Sequence, residues 1–313
     1  MSKPKIYIDG KEGTTGLQIY ERLGDRDDIE LLLIDEDKRK DLEERRKLLN
    51  AADLVFLCLP DEAAREAVSI VTNEHTKIID CSTAHRTAEG WDYGFPELTG
   101  QRERIRTAGR VANPGCYATG FLSLVRPLME KGVLPSDARV TCHALSGYTG
   151  GGKKTISQYG GPDRDMELDS PRHYAVSLAH KHLPEMAKIA GLERKPLFMP
   201  IICDFPQGMV VTVPLWLDEL NGVQSIESLR ALYAGYYAGC KAIELCTAGA
   251  PACGFIGSNN LAGKDTLQIF VNGNGEQVML SARLDNLGKG ASGAAVQNMN
   301  LMLGFEETKG LSL

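Results

Sequence analysis

One cysteine of this chain stands in a context suited to nucleophilic chemistry. In Val111-Ala112-Asn113-Pro114-Gly115-Cys116-Tyr117-Ala118-Thr119-Gly120 a strand-like run ends in a Pro-Gly turn, and a helix-compatible run, Ala118 to Met129, follows the thiol. A thiol near a helix N-terminus lies where the positive end of the macrodipole favours the thiolate. The thiolate is the attacking species in covalent acyl transfer. The other cysteines, at 58, 81, 142, 203, 240, 246 and 253, are scattered, and none forms a Cys-x-x-Cys pair. That pattern suits a reducing cytoplasm rather than a disulfide framework or a zinc site.

Acyl transfer also needs a group that gives and takes a proton near neutral pH, the natural work of histidine. Two of the 6 histidines fall in His180-Lys181-His182-Leu183-Pro184-Glu185, just before a proline-initiated helix. Histidines two residues apart do not share a helix face. With no third ligand beside them, no metal site is expected. Either His180 or His182 is the candidate acid/base, and the sequence leaves that choice open.

A second chemistry resides in Gly10-Lys11-Glu12-Gly13-Thr14-Thr15-Gly16, between the first strand and the first helix. Glycines at 10, 13 and 16 permit a tight turn and close approach of backbone to a pyrophosphate, and the helix start supplies amide donors. The second strand runs into Asp35-Glu36-Asp37-Lys38-Arg39. An acid there would take the ribose diol of NAD, whereas Lys38 or Arg39 would take the 2′-phosphate of NADP. Ser82 and Arg86, in Asp80 to Arg86, follow another strand, at the sheet edge where ligands bind. Ser146, Gly147 and Lys153, in Ser146 to Lys154, offer a second anion pocket of amides, hydroxyls and lysines.

The elements that must position these groups alternate strand and helix through the first part: strands at Lys5 to Asp9, Ile29 to Ile34, Leu54 to Leu59 and Lys77 to Asp80, helices at Thr15 to Leu23, Leu42 to Asn50 and Asp61 to Thr72. Asp61 is the expected N-cap of the last of these. The alternation implies a parallel, doubly wound α/β sheet. Beyond Cys116 strands outnumber helices: Ala138 to Leu145, Pro196 to Asp204, Met209 to Leu217, Leu267 to Asn272 and Gln277 to Leu284, with helices at Pro184 to Ala190 and Gln224 to Ala238. This implies an α+β domain. The Gly-rich stretch Ser146 to Gly161 reads as a mobile loop, and a last helix, Ala291 to Leu303, is expected to return to the first domain.

Composition narrows the partners. A net charge of -6 over 313 residues argues against a nucleic-acid surface. No apolar run reaches the ~20 residues of a membrane span, and Met1 to Ile8 has no signal-peptide core.

Together these segments resemble the shorter form of the N-acetyl-gamma-glutamyl-phosphate reductase family. The most specific match is Asn113-Pro114-Gly115-Cys116-Tyr117-Ala118-Thr119-Gly120. It is joined by Asp9 to Gly16, Phe56-Leu57-Cys58-Leu59-Pro60, Ser82-Thr83-Ala84-His85-Arg86, Trp91 to Leu98, Ser146 to Lys153, His180 to Glu185 and Asp285 to Gly293. The resemblance implies a fold like that of glyceraldehyde-3-phosphate and aspartate-semialdehyde dehydrogenases. It implies NADPH as reductant, Cys116 as nucleophile, and a small-molecule acyl phosphate, N-acetyl-L-glutamyl 5-phosphate, as substrate. It further implies a Rossmann-like NADP-binding domain of residues 1–116 and 286–313, and a catalytic and oligomerisation domain of residues 117–285. A homodimer or homotetramer is implied as well. Ser82 and Asn286 are then expected at the cofactor, and Arg86, Asn113, Ser146, Gly147 and Lys153 at the substrate. His85 stands where the longer form of the family has an aromatic residue, so only Ser82 and Arg86 are carried over from that stretch. The competing readings are an aspartyl or aminoadipyl phosphate reductase, a dinucleotide-sensing regulator without catalysis, and a cysteine hydrolase.

Overall fold

The computed structural model describes residues 2–162, 164–249, 251 and 253–313. The chain divides into two units, Met1–Pro114 with Ala291–Leu311, and Gly115–Gly290 with Ser312–Leu313. The division thus puts both Cys116 and Asn286 in the second unit, whereas the sequence reading put both in the first.

The first unit contains β1 (Lys5–Asp9), α1 (Thr14–Gly24), β2 (Glu30–Leu32), α2 (Leu42–Ala51), β3 (Leu54–Leu57), α3 (Asp61–Ile70), β4 (Lys77–Asp80), β5 (Asp92–Tyr93), α4 (Gln101–Thr107) and β6 (Arg110–Ala112). The returning helix, Gly293–Leu303, completes it. Its sheet has the order β2-β1-β3-β4-β6-β5, and every pairing is parallel. Both faces are covered, which is why its strands are apolar throughout rather than alternating. Ile6, Ile8, Phe56 and Ile79 pack with α1, α4 and the returning helix, while Tyr7, Val55, Leu57 and Ile78 pack with α2 and α3. Pro60, not Asp61, is the N-cap of α3. The Asp61 carboxylate instead accepts from the amide of Thr83, 2.9 Å away, and from its hydroxyl.

The second unit contains α5 (Cys116–Glu130), β7 (Thr141–Gly147), α6 (Gly152–Gly160), β8 (Arg172–His173), α7 (Leu183–Ala190), β9 (Leu197–Cys203), β10 (Met209–Trp216), α8 (Ile226–Tyr236), β11 (Ile243–Cys246), β12 (Leu267–Gly273) and β13 (Gln277–Leu284). Its sheet runs β11-β12-β13-β10-β7-β9-β8, with parallel pairs at β7·β9 and β11·β12 and antiparallel pairs elsewhere. Helix α5 is buried on nearly every side. It carries Pro127, whose missing N–H leaves the Ser123 carbonyl without its helical donor. The Tyr237 hydroxyl fills that role, donating to Ser123 O at 2.8 Å.

The stretch read as a mobile loop is ordered into the end of β7, a 3-10 turn at Tyr148–Gly151, and α6. Thr149 Oγ1 donates to Pro206 O at 2.6 Å, and the Tyr148 and Tyr159 rings stack 4.5 Å apart. These tertiary anchors override the low helix propensity of a Gly-rich segment.

Candidate functional site

In the first unit, β2 lies on one side of β1 and β3 on the other, so the winding reverses at the carboxyl ends of β1 and β3. Ligands bind at such a switch point. Gly10 takes φ +85° there, and a Cβ on it would lie 2.4 Å from Cys58 O. The chain then turns back on itself, with Gly13 N donating to Gly10 O at 2.9 Å. Gly16 faces the same carbonyl, 2.4 Å from where its Cβ would be. Helix α1 starts at Thr14 and Thr15 behind an extended Gly13 that offers no capping side chain. The result is a cradle of backbone at a helix start, free of side-chain bulk, and it fits a dinucleotide pyrophosphate.

Around the cradle the frame is ionic. Asp9, buried at the end of β1, pairs with Arg45 of α2 at 2.9 Å, and Arg45 reaches Glu66 at 3.1 Å. Burial pushes the Asp9 carboxyl up, and the Arg45 guanidinium opposes that rise. After β2 the chain turns through Glu36–Lys38, which leaves Lys38 and Arg39 exposed. Asp35, 3.4 Å from Lys38 Nζ, holds that ammonium's pKa above its ordinary value.

At the carboxyl end of β4 the buried Asp80 carboxylate gathers three groups: Ser82 N at 2.9 Å, Ser82 Oγ at 2.8 Å and His85 Nδ1 at 2.6 Å. His85 in turn stacks on Trp91, 4.2 Å between centroids. Arg86 donates from Nε to Asn113 O at 3.0 Å and from Nη2 to Cys81 O at 3.3 Å. Asn113 gives its Nδ2 to Ala291 O at 2.9 Å, and its Oδ1 accepts from Asn298 Nδ2 at 3.1 Å. Its amide therefore ties β6 to the returning helix. Ser82, Arg86 and Asn113 form one connected framework within the first unit.

In the second unit Cys116 is the first residue of α5, behind an extended Gly115 that provides no side-chain cap. Gly290 packs against it so tightly that a Cβ there would lie 2.8 Å from Cys116 Cβ. The next residue, Tyr117, is the hub of an aromatic cluster. Its ring lies 5.6 Å from His180, 5.8 Å from His182 and 5.2 Å from Phe198. The two imidazoles are 4.8 Å apart and nearly perpendicular. His180 Nδ1 accepts from the backbone N–H of His182 at 3.1 Å, and Nε2 faces the Tyr174 hydroxyl at 3.3 Å. Accepting at Nδ1 leaves the proton of the neutral imidazole on Nε2. Burial pushes the hydroxyl pKa values of both Tyr117 and Tyr174 upward, so both are protonated at neutral pH. His182 is buried at the N-cap of α7, with Pro184 just inside the helix.

Glu185 also belongs to this cluster. It is 2 % exposed, and its Oε2 accepts from Gly115 N at 3.4 Å, beside the helix start that carries Cys116. In the sequence it closes His180 to Glu185, where its residue type alone assigns it no role. The signal was an acid three positions after the helix N-cap, where a carboxylate is drawn to unsatisfied amides. Tyr174 had no such local signal.

Ser146 and Gly147 end β7. Ser146 is buried, its Oγ donating to Gly147 O at 3.1 Å, and Gly147 N donates to Gly208 O at 2.9 Å. Lys153 projects from α6 into solvent. Asn286 joins the same corner, accepting from Gly208 N at 2.8 Å and donating to Thr149 Oγ1 at 3.0 Å. Burial pushes the thiols of Cys142 and Cys203 up, which keeps them protonated and unreactive.

Comparison with known proteins agrees with this division. A model for the semialdehyde dehydrogenase NAD binding domain matches residues 5–108, and one for the semialdehyde dehydrogenase dimerisation domain matches residues 116–286. The N-acetyl-gamma-glutamyl-phosphate reductase of Trichormus variabilis is 51% identical, with 99% of this chain and 100% of that protein covered. That of Brucella suis is also 51% identical, with 96% and 99% covered. Among solved structures, aspartate semialdehyde dehydrogenase II from Vibrio cholerae, complexed with ASA, superposes with a TM-score of 0.74 at 16% identity, covering 97% of this chain and 99% of that one. At that identity the likeness speaks for the fold.

Proposed function

The chain belongs to the N-acetyl-gamma-glutamyl-phosphate reductase family, and from that premise we propose that it reduces N-acetyl-L-glutamyl 5-phosphate to N-acetyl-L-glutamate 5-semialdehyde, an arginine-biosynthesis step, through a thioester on Cys116. The observation that carries the reading is a cysteine at the first position of an uncapped helix, preceding a tyrosine whose ring meets two imidazoles.

Cys116 attacks the acyl carbon as a thiolate, favoured by the α5 N-terminus. The C–S bond forms as the C–O bond to phosphate breaks, and phosphate leaves. When bound, NADPH supplies the hydride that reduces the acyl group. The alkoxide of the resulting thiohemiacetal on Cys116 takes a proton, returns it, and collapses to aldehyde and thiolate. His182 gives and takes that proton. Both ring nitrogens of His180 are engaged, by the His182 amide and by Tyr174, so His180 positions its neighbour. Glu185 holds the Gly115 amide and with it the turn that presents the sulfur.

The cradle of Gly10, Gly13, Thr14, Thr15 and Gly16 would hold the pyrophosphate of NADP, and Lys38 and Arg39 its 2′-phosphate. Ser82, fixed by Asp80, lines the same sheet edge. Arg86, Ser146, Gly147 and Lys153 serve the substrate's anionic groups, Asn113 acts through the frame that holds Arg86, and Asn286 acts through the corner it shares with Thr149. The second unit carries a homodimer or homotetramer. The setting is the cytoplasm, a reading that rests on the scattered spacing of the eight cysteines in the sequence. Among the described residues, no helix is long and apolar enough to cross a membrane.

The test is the reverse reaction: N-acetylglutamate semialdehyde, phosphate and NADP, with NADPH followed by absorbance. Phosphate-dependent NADPH formation is expected. Activity with aspartate semialdehyde instead would keep Cys116 chemistry and reject the substrate. NADPH binding with no turnover on either aldehyde would favour a regulator.

A further inference from the structure

We propose that Arg172 binds the α-carboxylate of the substrate and sets its specificity, an inference that rests on the acyl-phosphate reading above. Arg172 begins β8, opposite Ile202 of β9. The pairing continues to Tyr174, whose N–H donates to Pro200 O at 3.2 Å. Residues two apart on an extended strand share a face, so Arg172 and Tyr174 project from the same side of the sheet. That side also carries Ser146, which pairs with Ile202 through β7·β9. It is the face against which Tyr117 packs, through Phe198. Arg172 therefore stands one same-face position from the tyrosine that holds His180, roughly 7 Å along the strand. The substrate's α-carboxyl is separated from its reacting carbonyl by a three-carbon chain, which calls for a receptor near the acid/base cluster rather than in it.

The surroundings of Arg172 are those of an anion receptor. It lines an open cleft of about 490 Å³ with Arg164 and Ser157. Arg164 is neutralised there by Asp169 and by Asp204, the latter at 2.8 Å. Arg172 has no ion pair among the described residues. Its Nη2 donates to the Tyr159 hydroxyl at 3.1 Å, the guanidinium lies 5.5 Å from that ring's centroid, and its Nε is buried with no hydrogen-bond partner. A guanidinium placed beside an aromatic ring and bonded to its hydroxyl, with a donor left over, is pre-organised for a carboxylate. Asp165, which also lines the cleft, accepts from Glu167 N at 2.9 Å and so serves its own turn.

The experiment compares two aldehydes in the reverse assay: N-acetylglutamate semialdehyde and 4-acetamidobutanal, which lacks only the α-carboxylate. The native enzyme should prefer the first by ~100-fold or more in kcat/KM. Arg172→Met should reduce that preference to about tenfold or less, chiefly through KM, with the KM for NADP unchanged. Should that variant fail to fold, Arg172→Gln, which keeps a donor for Tyr159 and removes the charge, gives the same comparison. An active Arg172 variant with its preference intact overturns the proposal, as does a native enzyme that does not distinguish the two aldehydes. Failure of the native enzyme on N-acetylglutamate semialdehyde would instead reject the acyl-phosphate reading itself.

Discussion

The two units each begin a helix in the same way and use it differently. Helix α1 starts behind Gly13 at φ -69° and ψ 161°, and α5 behind Gly115 at φ -79° and ψ 148°, neither with a capping side chain. Both therefore present a positive helix end without a protein oxygen fixed on it by the N-cap residue. At α1 Gly10 and Gly16, whose Cβ atoms would strike backbone, keep the turn tight against the helix start, and that bare backbone suits an external anion. At α5 the first residue is Cys116, so the proposed anion is the protein's own sulfur. In the proposed mechanism, one backbone device serves as a binding site or a nucleophile according to which side chain follows the cap.

Breaking one helix start should spare the other. The largest effect is expected for Cys116→Ser: a loss of ~10⁴-fold or more in kcat, with NADPH binding by fluorescence titration unchanged. His182→Asn should follow, at ~10²- to 10⁴-fold. His180→Asn and Tyr174→Phe should each cost roughly tenfold, the scale of one hydrogen bond. Equal losses in His180→Asn and His182→Asn would contradict the division of labour between them.

Gly16→Ala probes the other start. Its Cβ would sit 2.4 Å from Gly10 O, a backbone atom that cannot yield cheaply. The expected result is a destabilisation of about 1–3 kcal/mol and loss of NADPH binding, while iodoacetamide still alkylates Cys116 at the native rate. The smallest effect concerns pH. Arg26, and then Lys309 at 2.9 Å, hold the Asp28 carboxyl well below its ordinary value of 3.8. The stability this confers is complete above pH 3.8 and is lost as pH falls toward the lower native value. Asp28→Asn should therefore flatten the acid limb of thermal stability and cost about 1 kcal/mol or less at neutral pH.

Much of the first unit was legible because its physics is local. Strands buried on both faces must be apolar, and β1, α2 and β4 appear within a residue of where composition put them. The glycine loop was legible for the same reason, since backbone close approach demands glycine wherever it occurs. What escaped depended on distant partners. Helix α6 forms in a Gly-rich stretch because Tyr148 stacks on Tyr159 and Thr149 reaches Pro206. Asp61 reads as a cap until Thr83, 22 residues away, takes its carboxylate. Arg172 begins a two-residue strand that no periodicity can reveal and Tyr174 lies just beyond it, so only the pairing with β9 and the bond to Pro200 O give them a face. The residue types around Cys116 were visible in the sequence; the tautomer of His180 and the place of Glu185 needed the fold.

The central claim is that Cys116 carries the acyl group. It is tested most directly by mixing the protein with N-acetylglutamyl phosphate in the absence of NADPH, then measuring released phosphate and intact mass. The account predicts one phosphate per subunit in a single burst and one N-acetylglutamyl group on the peptide containing Cys116, both absent in Cys116→Ser. Phosphate release only after NADPH is added, with Cys116 unmodified throughout, would contradict it.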